Sequence, residues 1–382
     1  MRVLVAPDSF KECMSATEVA AAISKGILEV MPKAEVFKIP ISDGGEGVLE
    51  AVKHGVEIEL VSVTVFDPLL RPIEATYGIL ENTKTAIVEM AKASGLELLS
   101  EHEKNPLVTS TYGTGQLIMH ALDKGCNKII IGIGGSATND GGTGMIRALG
   151  GKFLNANGEE LKDGGGHLKE LAHIDLSHLD KRIRDCEVQV ACDVSNPLVG
   201  RHGASWVYGA QKGGSEADLA FLDKNLRHYA SIIKKDLGKD IVVVPGAGAA
   251  GGTGAALMVF LNGVLVNGIE LILKTIGIEA YLKEADLVIT GEGKIDAQTL
   301  NGKTIMGIAA MAKKHNVPVI VLTGKIGDNI EDIYSIGVNA IFSIVNRPMA
   351  LSEAICEAPL LIQQCTTNFI RTIQAFQVPH KK

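Results

Sequence analysis

Short runs of apolar, largely β-branched residues recur along the chain, and each gives way to small or acidic residues before a helical pattern begins. They are Val3-Leu4-Val5, Val36 to Ile39, Ile129 to Ile133, Leu287-Val288-Ile289, Val319 to Leu322 and Ile341 to Ile344. A continuous apolar run of this length, bounded by turn residues, reads as a strand buried on both faces of a parallel sheet. Between the first two, Ser15 to Met31 places Ala16, Val19, Ala20, Ile23, Ile27 and Val30 near one helical face, and Pro32 stops the helix. Alternation of such strands and helices predicts a doubly wound α/β domain.

Other segments follow a different period. From Val56 to Met90 the residues alternate, as in Glu57-Ile58-Glu59-Leu60-Val61-Ser62-Val63, and a Pro68 to Pro72 turn interrupts them. That pattern predicts antiparallel pairing. Val188 to Ala191 and Ile241 to Val244 are further strand candidates. At 382 residues the chain exceeds what one core usually supports, which is about 250 to 300 residues. The expected organisation is two α/β domains. One is a discontinuous Rossmann/flavodoxin-like parallel sheet built from residues 1–55, 105–150 and 285–382; the other is an inserted mixed α/β domain from 56–104 and 151–284.

A formal charge of -7 and only 4% aromatic residues supply neither the basic stripe nor the stacking platform of a nucleic-acid binder, so no nucleic-acid partner is expected. The longest apolar stretch, Ala255 to Ile278, is interrupted by Asn262, Asn267, Glu270 and Lys274, which leaves no membrane span. None of the six cysteines forms a Cys-x-x-Cys pair, and the N-terminal residues read as a strand instead of a leader; both suit a reducing, cytoplasmic setting. The histidines show no zinc-ligand spacing.

The 43 glycines are clustered, and the clusters follow strands. Val3-Leu4-Val5 runs into Pro7-Asp8-Ser9-Phe10-Lys11, and Val36 to Ile39 into Ser42-Asp43-Gly44-Gly45-Glu46-Gly47. Ile129 to Ile133 runs into Gly134-Gly135-Ser136-Ala137-Thr138-Asn139-Asp140-Gly141-Gly142, Val188 to Ala191 into Asp193-Val194-Ser195-Asn196-Pro197, and Leu287 to Ile289 into Thr290-Gly291-Glu292-Gly293-Lys294-Ile295-Asp296. Ligands of a doubly wound sheet bind outside the carboxyl ends of its strands. Phosphoryl transfer needs what these ends offer: backbone N–H groups and cations around phosphate oxygens, with carboxylates to hold Mg²⁺ and to take a proton from the attacking hydroxyl. Any one such loop reads equally well as a tight βα turn with a helix cap; five in one chain point to a site. Candidate cations are Lys11, Lys212, Lys294 and Lys303, with Lys11 and Lys303 favoured.

Three other motifs point elsewhere. Pro245 to Gly254 contains a literal G-x-G-x-x-G, with Glu270 placed for a ribose contact, which keeps an NAD(P)-dependent dehydrogenase as an alternative; against it, Pro245 interrupts the strand exit, and a nucleotide-phosphate or packing role suits the loop better. Gly302-Lys303-Thr304 looks like the end of a Walker A loop, but Ala297 stands where its first glycine belongs. Gly134-Gly135-Ser136-Ala137-Thr138 lacks the second glycine of a serine-hydrolase elbow. A non-catalytic nucleotide- or metabolite-binding sensor is the alternative outside enzymology.

Taken in order, Ala6 to Lys11, Ser42 to Gly47, Gly132 to Gly142, Ala191 to Leu198, Pro245 to Gly254 and Thr290 to Gly293 resemble the bacterial glycerate kinases over the whole chain. Two small departures are Ala210 in place of proline and Lys294 in place of arginine. The resemblance implies ATP-dependent phosphorylation of D-glycerate, at the 2-hydroxyl to give 2-phosphoglycerate, with ATP and Mg²⁺ as cofactors and the active site in the cleft between the two α/β domains. On this reading Asp193 takes the substrate hydroxyl proton, with Lys11 and Lys303 as catalytic cations. Asp8, Ser9, Gly44, Gly45, Gly134, Gly135, Ser136, Thr138, Asn139, Asp140, Asn196, Gly246, Gly248, Gly251 and Gly252 contact substrate or nucleotide, and Asp43, Glu292 and Asp296 are the metal candidates. Oligomeric state is not legible; a homodimer is one option.

Overall fold

The computed structural model describes residues 1–10, 13–41, 48–296 and 304–377. Its strands are β1 (Arg2–Val5), β2 (Glu35–Lys38), β3 (Glu59–Phe66), β4 (Pro72–Leu80), β5 (Thr85–Glu89), β6 (Lys128–Gly132), β7 (Lys152–Leu154), β8 (His173–Asp175), β9 (Glu187–Ala191), β10 (Val264–Val266), β11 (Leu287–Ile295), β12 (Val319–Ile326) and β13 (Val338–Ser343). They fall into two compact units. The first comprises 1–43, 50–56 and 269–382, and the second 44–49 and 57–268.

The first unit is a parallel sheet in the order β13-β12-β11-β1-β2. Counted along this unit, the strand order is 2-1-3-4-5, the flavodoxin-like doubly wound arrangement, and the winding reverses between β1 and β11. The helix expected after β1 is present as Ala16–Val30. Ser15 accepts the Glu18 N–H while the Glu18 carboxylate accepts the Ser15 N–H, a capping box that fixes where the helix starts. Val19, Ala20, Ile23 and Ile27 enter the core with Leu361, Ile362 and Ile370 of the C-terminal helix Leu351–Gln377. The two helices approach at Gly26, where a Cβ would lie 2.6 Å from the Gln363 carbonyl oxygen. Any larger residue there forces them apart.

The second unit carries a six-stranded sheet, β10-β9-β6-β5-β4-β3, and a small β7-β8 ribbon. The alternating segment forms the antiparallel part, β3 against β4 and β4 against β5, as its period required. In the intervening turn the buried Asp67 carboxylate accepts the Leu69 and Arg71 N–H groups. From β5 onward the pairing is parallel.

Three expectations change. Residues 105–150 were assigned to the first domain, yet β6 hydrogen-bonds to β5 and β9, so the segment belongs to the second unit. An apolar run reveals a parallel strand but not which sheet it joins. Ile241 to Val244 forms no strand and lies in turns. β11 runs on through Thr290-Gly291-Glu292-Gly293-Lys294, which was read as a loop, because β12 continues beside it and pairs with it as far as Ile295. Among the described residues no helix is long and apolar enough to cross a membrane, and all six cysteines are free thiols.

Candidate active site

The reversal point of the first sheet gathers chemistry. β1 and β11 stay in register beyond their ends, since the Ala6 N–H bonds to the Ile289 carbonyl and the Asp8 N–H to that of Gly291, each at 2.8 Å. Asp8 thus stands beside the middle of β11, half-buried. Its Oδ1 accepts the Ser9 N–H at 2.6 Å, and its Oδ2 accepts the hydroxyl of Thr304 at 2.7 Å. Thr304 opens the helix Thr304–Lys314. Glu292 lies in β11 with only 9% exposure. One carboxylate past the end of β1 and another within the neighbouring β11, at the point where a doubly wound sheet opens, are oxygen donors of the kind Mg²⁺ takes, since it binds one or two carboxylates and completes its shell with phosphate and water.

Of the three metal candidates, only Glu292 and Asp296 fall among the described residues. Asp43 lies outside the described residues, and Asp296 is ion-paired to Lys294 at 2.6 Å. Among the described residues no group of three or more His, Cys, Asp or Glu side chains could hold a metal ion. Lys11, Gly44, Gly45 and Lys303 also lie outside the described residues.

In the second unit, the carboxyl end of β6 continues into Gly134 and Gly135, both half-buried. Among the described residues no acceptor takes the N–H of either glycine. Gly135, at φ +67°, accepts from the Leu96 N–H, and the Ala137 N–H bonds to the Ser94 carbonyl, so the turn is stitched to its neighbour on the far side. A pair of unpaired backbone N–H groups at a strand end is a ready anion contact.

The rest of that loop turns inward. Ser136 is 6% exposed, and Thr138, Asn139 and Asp140 are fully buried. The Asp140 carboxylate accepts the Thr111 N–H and hydroxyl and the N–H groups of Gly142 and Gly144, at 2.8–3.2 Å. Burial raises its pKa, and these hydrogen bonds offset part of the rise. Asn139 Nδ2 donates to Ser205, while Asn139 Oδ1 and the Thr138 hydroxyl are buried without a hydrogen-bond partner. Ser136, Asn139 and Asp140 thus each hydrogen-bond to neighbouring protein groups.

Beneath them lies Lys212, 1% exposed, whose Nζ donates to Ser136 Oγ at 2.8 Å and to the Thr138 carbonyl at 2.7 Å. Burial lowers its pKa to about 7 against an upward pull from Asp140. Of the two candidate cations among the described residues, Lys212 and Lys294, it is the one the fold encloses.

Past the end of β9, Asp193 is exposed, and its Oδ1 accepts the Gly268 N–H at 2.8 Å where the chain leaves β10. Asn196 is used structurally: its Nδ2 donates to the His202 carbonyl, and its Oδ1 accepts the Tyr208 hydroxyl at 2.7 Å. The G-x-G-x-x-G segment is packing. A Cβ would meet Leu265 at 2.3 Å on Gly246, the Pro197 carbonyl at 2.1 Å on Gly248, the Thr138 carbonyl at 2.0 Å on Gly251 and the Gly141 Cα at 2.9 Å on Gly252. These glycines let the segment lie against the 138–141 and 197 backbones. With no strand before it, the segment lacks the strand–turn–helix frame that a dinucleotide fingerprint requires.

Two residues escaped the sequence reading. Glu89, 6% exposed at the end of β5, accepts the Leu49 N–H at 3.2 Å, in the first turn of the helix Val48–Gly55 that follows the Ser42 to Gly47 motif. Its signal, an acid closing a β-branched run, was present but masked by the antiparallel alternation before it. Thr304 had no signal beyond its place after Gly302-Lys303.

Comparison with known proteins decides the family. The glycerate kinase family model matches residues 3–374. The chain belongs to the glycerate kinase family. A glycerate kinase of Halalkalibacterium halodurans is 50% identical over 366 residues, covering 96% of each chain. The glycerate 2-kinase of Escherichia coli K12 is 48% identical over 373 residues, covering 98% of each. A crystal structure of a candidate glycerate kinase 2 from Salmonella typhimurium LT2 superposes with a TM-score of 0.88 at 45% identity, covering 99% of both chains. As a member of this family, the chain is an enzyme that phosphorylates glycerate. The family model spans all six ordered motifs of the sequence, and the α/β fold is shared with the solved relative.

Proposed function

We propose that the enzyme transfers the γ-phosphoryl group of ATP to the 2-hydroxyl of D-glycerate, giving 2-phosphoglycerate, ADP and a proton. The choice of hydroxyl is supported by the 48% identity to a relative described as a glycerate 2-kinase. The observation that best supports a Mg²⁺-nucleotide is the placement of Asp8 past β1 and of Glu292 in the adjacent β11 at the sheet's reversal, with the Thr304 hydroxyl and Ser9 N–H bonded to the Asp8 carboxylate. When bound, Mg²⁺ neutralises charge building on the transferring phosphoryl group.

The remaining work falls to the chain's own groups. Asp193 accepts the proton of the attacking hydroxyl; it is exposed, and the Gly268 N–H holds its carboxylate in place. The Gly134 and Gly135 N–H groups hold an anionic oxygen of substrate or nucleotide. Lys11, from the Ala6 to Lys11 motif, and Lys303, beside Gly302, are the proposed cations, and Asp43, from the Ser42 to Gly47 motif, remains a metal candidate.

Purified protein with ATP and Mg²⁺ is expected to release ADP only when D-glycerate is added. ADP release at the same rate with and without glycerate would remove the kinase reading.

A further inference from the structure

We propose that Lys212 is a positioning residue for phosphoryl transfer, a clamp that sets the Gly134–Gly135 turn through Ser136 and Thr138. The proposal rests on the glycerate kinase reading above and adds to it a residue that touches neither substrate nor nucleotide.

The placement of the lysine needs explaining. Its ammonium is enclosed, yet among the described residues it has no ion-pair partner. The acid whose charge it feels is Asp140, and that carboxylate is occupied by Thr111, Gly142 and Gly144. An enclosed, unpaired ammonium is costly, and an apolar side chain of the same length would fill the space without that cost. Stability therefore does not account for a lysine here.

Its two bonds do account for it. Ser136 Oγ and the Thr138 carbonyl lie one and three residues beyond Gly135 on the same loop. Lys212 is itself fixed at the end of the short 3-10 helix Ala210–Lys212, where Gly213 turns the chain at φ +91° and a Cβ would lie 2.2 Å from the Lys104 carbonyl oxygen. One flank of the Gly134–Gly135 turn is held by β6 pairing and the other by this clamp. What lies between them is the half-buried pair of N–H groups without acceptors. Their direction, and so their fit to a carboxylate or phosphate oxygen, depends on both flanks. Misplacing such a contact by about 1 Å can cost about 100-fold in rate.

The test uses the full-length enzyme and three variants: Lys212→Met, Ser136→Ala and the double substitution. Lys212→Met is expected to lower kcat/KM by at least about tenfold while the melting midpoint stays near wild type, because an apolar replacement relieves the enclosed charge. Ser136→Ala should lower kcat/KM by a smaller factor and add nothing in the Lys212→Met background, as two members of one clamp must. A rise confined to the KM for D-glycerate assigns the turn to the substrate carboxylate; a rise confined to the KM for ATP assigns it to a phosphate. The clamp is overturned if Lys212→Met keeps kcat/KM within about twofold of wild type per folded molecule, or if the two losses multiply independently. Should Lys212→Met fail to fold, Ser136→Ala decides: a loss of at least about threefold supports the clamp, and wild-type kinetics overturn it. A wild-type enzyme that releases no ADP with glycerate would instead refute the underlying activity, and the clamp is then read from calorimetric affinities for ATP and for glycerate, which the variants must weaken.

Discussion

Substituting alanine at Gly251 separates two readings of the G-x-G-x-x-G loop. Gly251 sits at φ +67°, where an L-residue costs about 1–2 kcal/mol, and its added Cβ would lie 2.0 Å from the Thr138 carbonyl oxygen. Forcing an atom into a packed site of this kind costs a further 1–3 kcal/mol or so. The sum, about 2–5 kcal/mol, corresponds to roughly 4–20 °C in melting midpoint at about 2–4 °C per kcal/mol for a domain of this size class. Gly238 is the matched control. It ends the helix Glu216–Leu237 at φ +71°, and a Cβ there would meet nothing within 4 Å. Gly238→Ala should show the backbone cost alone, so the difference between the two variants measures the close approach to residue 138. The assay is thermal unfolding of both variants, with ATP affinity measured on the folded protein below the transition. If Gly251→Ala proves no more destabilising than Gly238→Ala while ATP affinity drops about tenfold, the loop is a phosphate cradle and the packing argument is wrong.

Asp193→Asn keeps an oxygen to accept the Gly268 N–H, so the variant should fold normally and bind nucleotide with wild-type affinity while kcat falls by about 10²–10⁴; turnover within severalfold of wild type would remove the base assignment. Stability carries a signature of Lys212. Its pKa falls from the ordinary 10.5 to about 7 on folding, so between those values the unfolded chain binds more protons than the folded one. Stability must then rise with pH across that window and be lost as pH falls toward 7. Urea midpoints of wild type and Lys212→Met at pH 7, 8 and 9 should diverge in favour of wild type as pH rises, and parallel lines would show that the lysine is not titrating there.

Much of the fold was legible because its signals are local. The capping box at Ser15 and Glu18, the 3.6-residue stripe through Ile23 and Ile27 and the period-2 segment 57–65 each announce their element from adjacent residues. Membership of a sheet is not local. The run Ile129 to Ile133 is apolar whichever sheet it joins, and β11 extends to Ile295 only because β12 runs beside it. Of the candidate residues, Asp8, Gly134, Gly135 and Asp193 follow the ends of strands, and Glu292 lies within β11. Thr138, Asn139 and Asp140 share the same sequence signature but are fully buried, and Asn196 is tied to His202 and Tyr208, so the signature does not tell a loop that faces outward from one that packs against its neighbours. The role of Lys212 was hidden for the same reason: nothing in Gln211-Lys212-Gly213 announces that Ser136 and Thr138 will fold over its ammonium.

Proton-coupled ³¹P NMR of the reaction with ATP, Mg²⁺ and D-glycerate bears most directly on the activity. Phosphorylation of the 2-hydroxyl places the phosphorus next to a single C–H, so the account predicts a new phosphomonoester doublet growing with the ADP signals and absent without glycerate. A triplet, from a phosphate on the terminal CH₂, would contradict the assigned hydroxyl, and consumption of ATP with no new phosphomonoester would contradict glycerate phosphorylation itself.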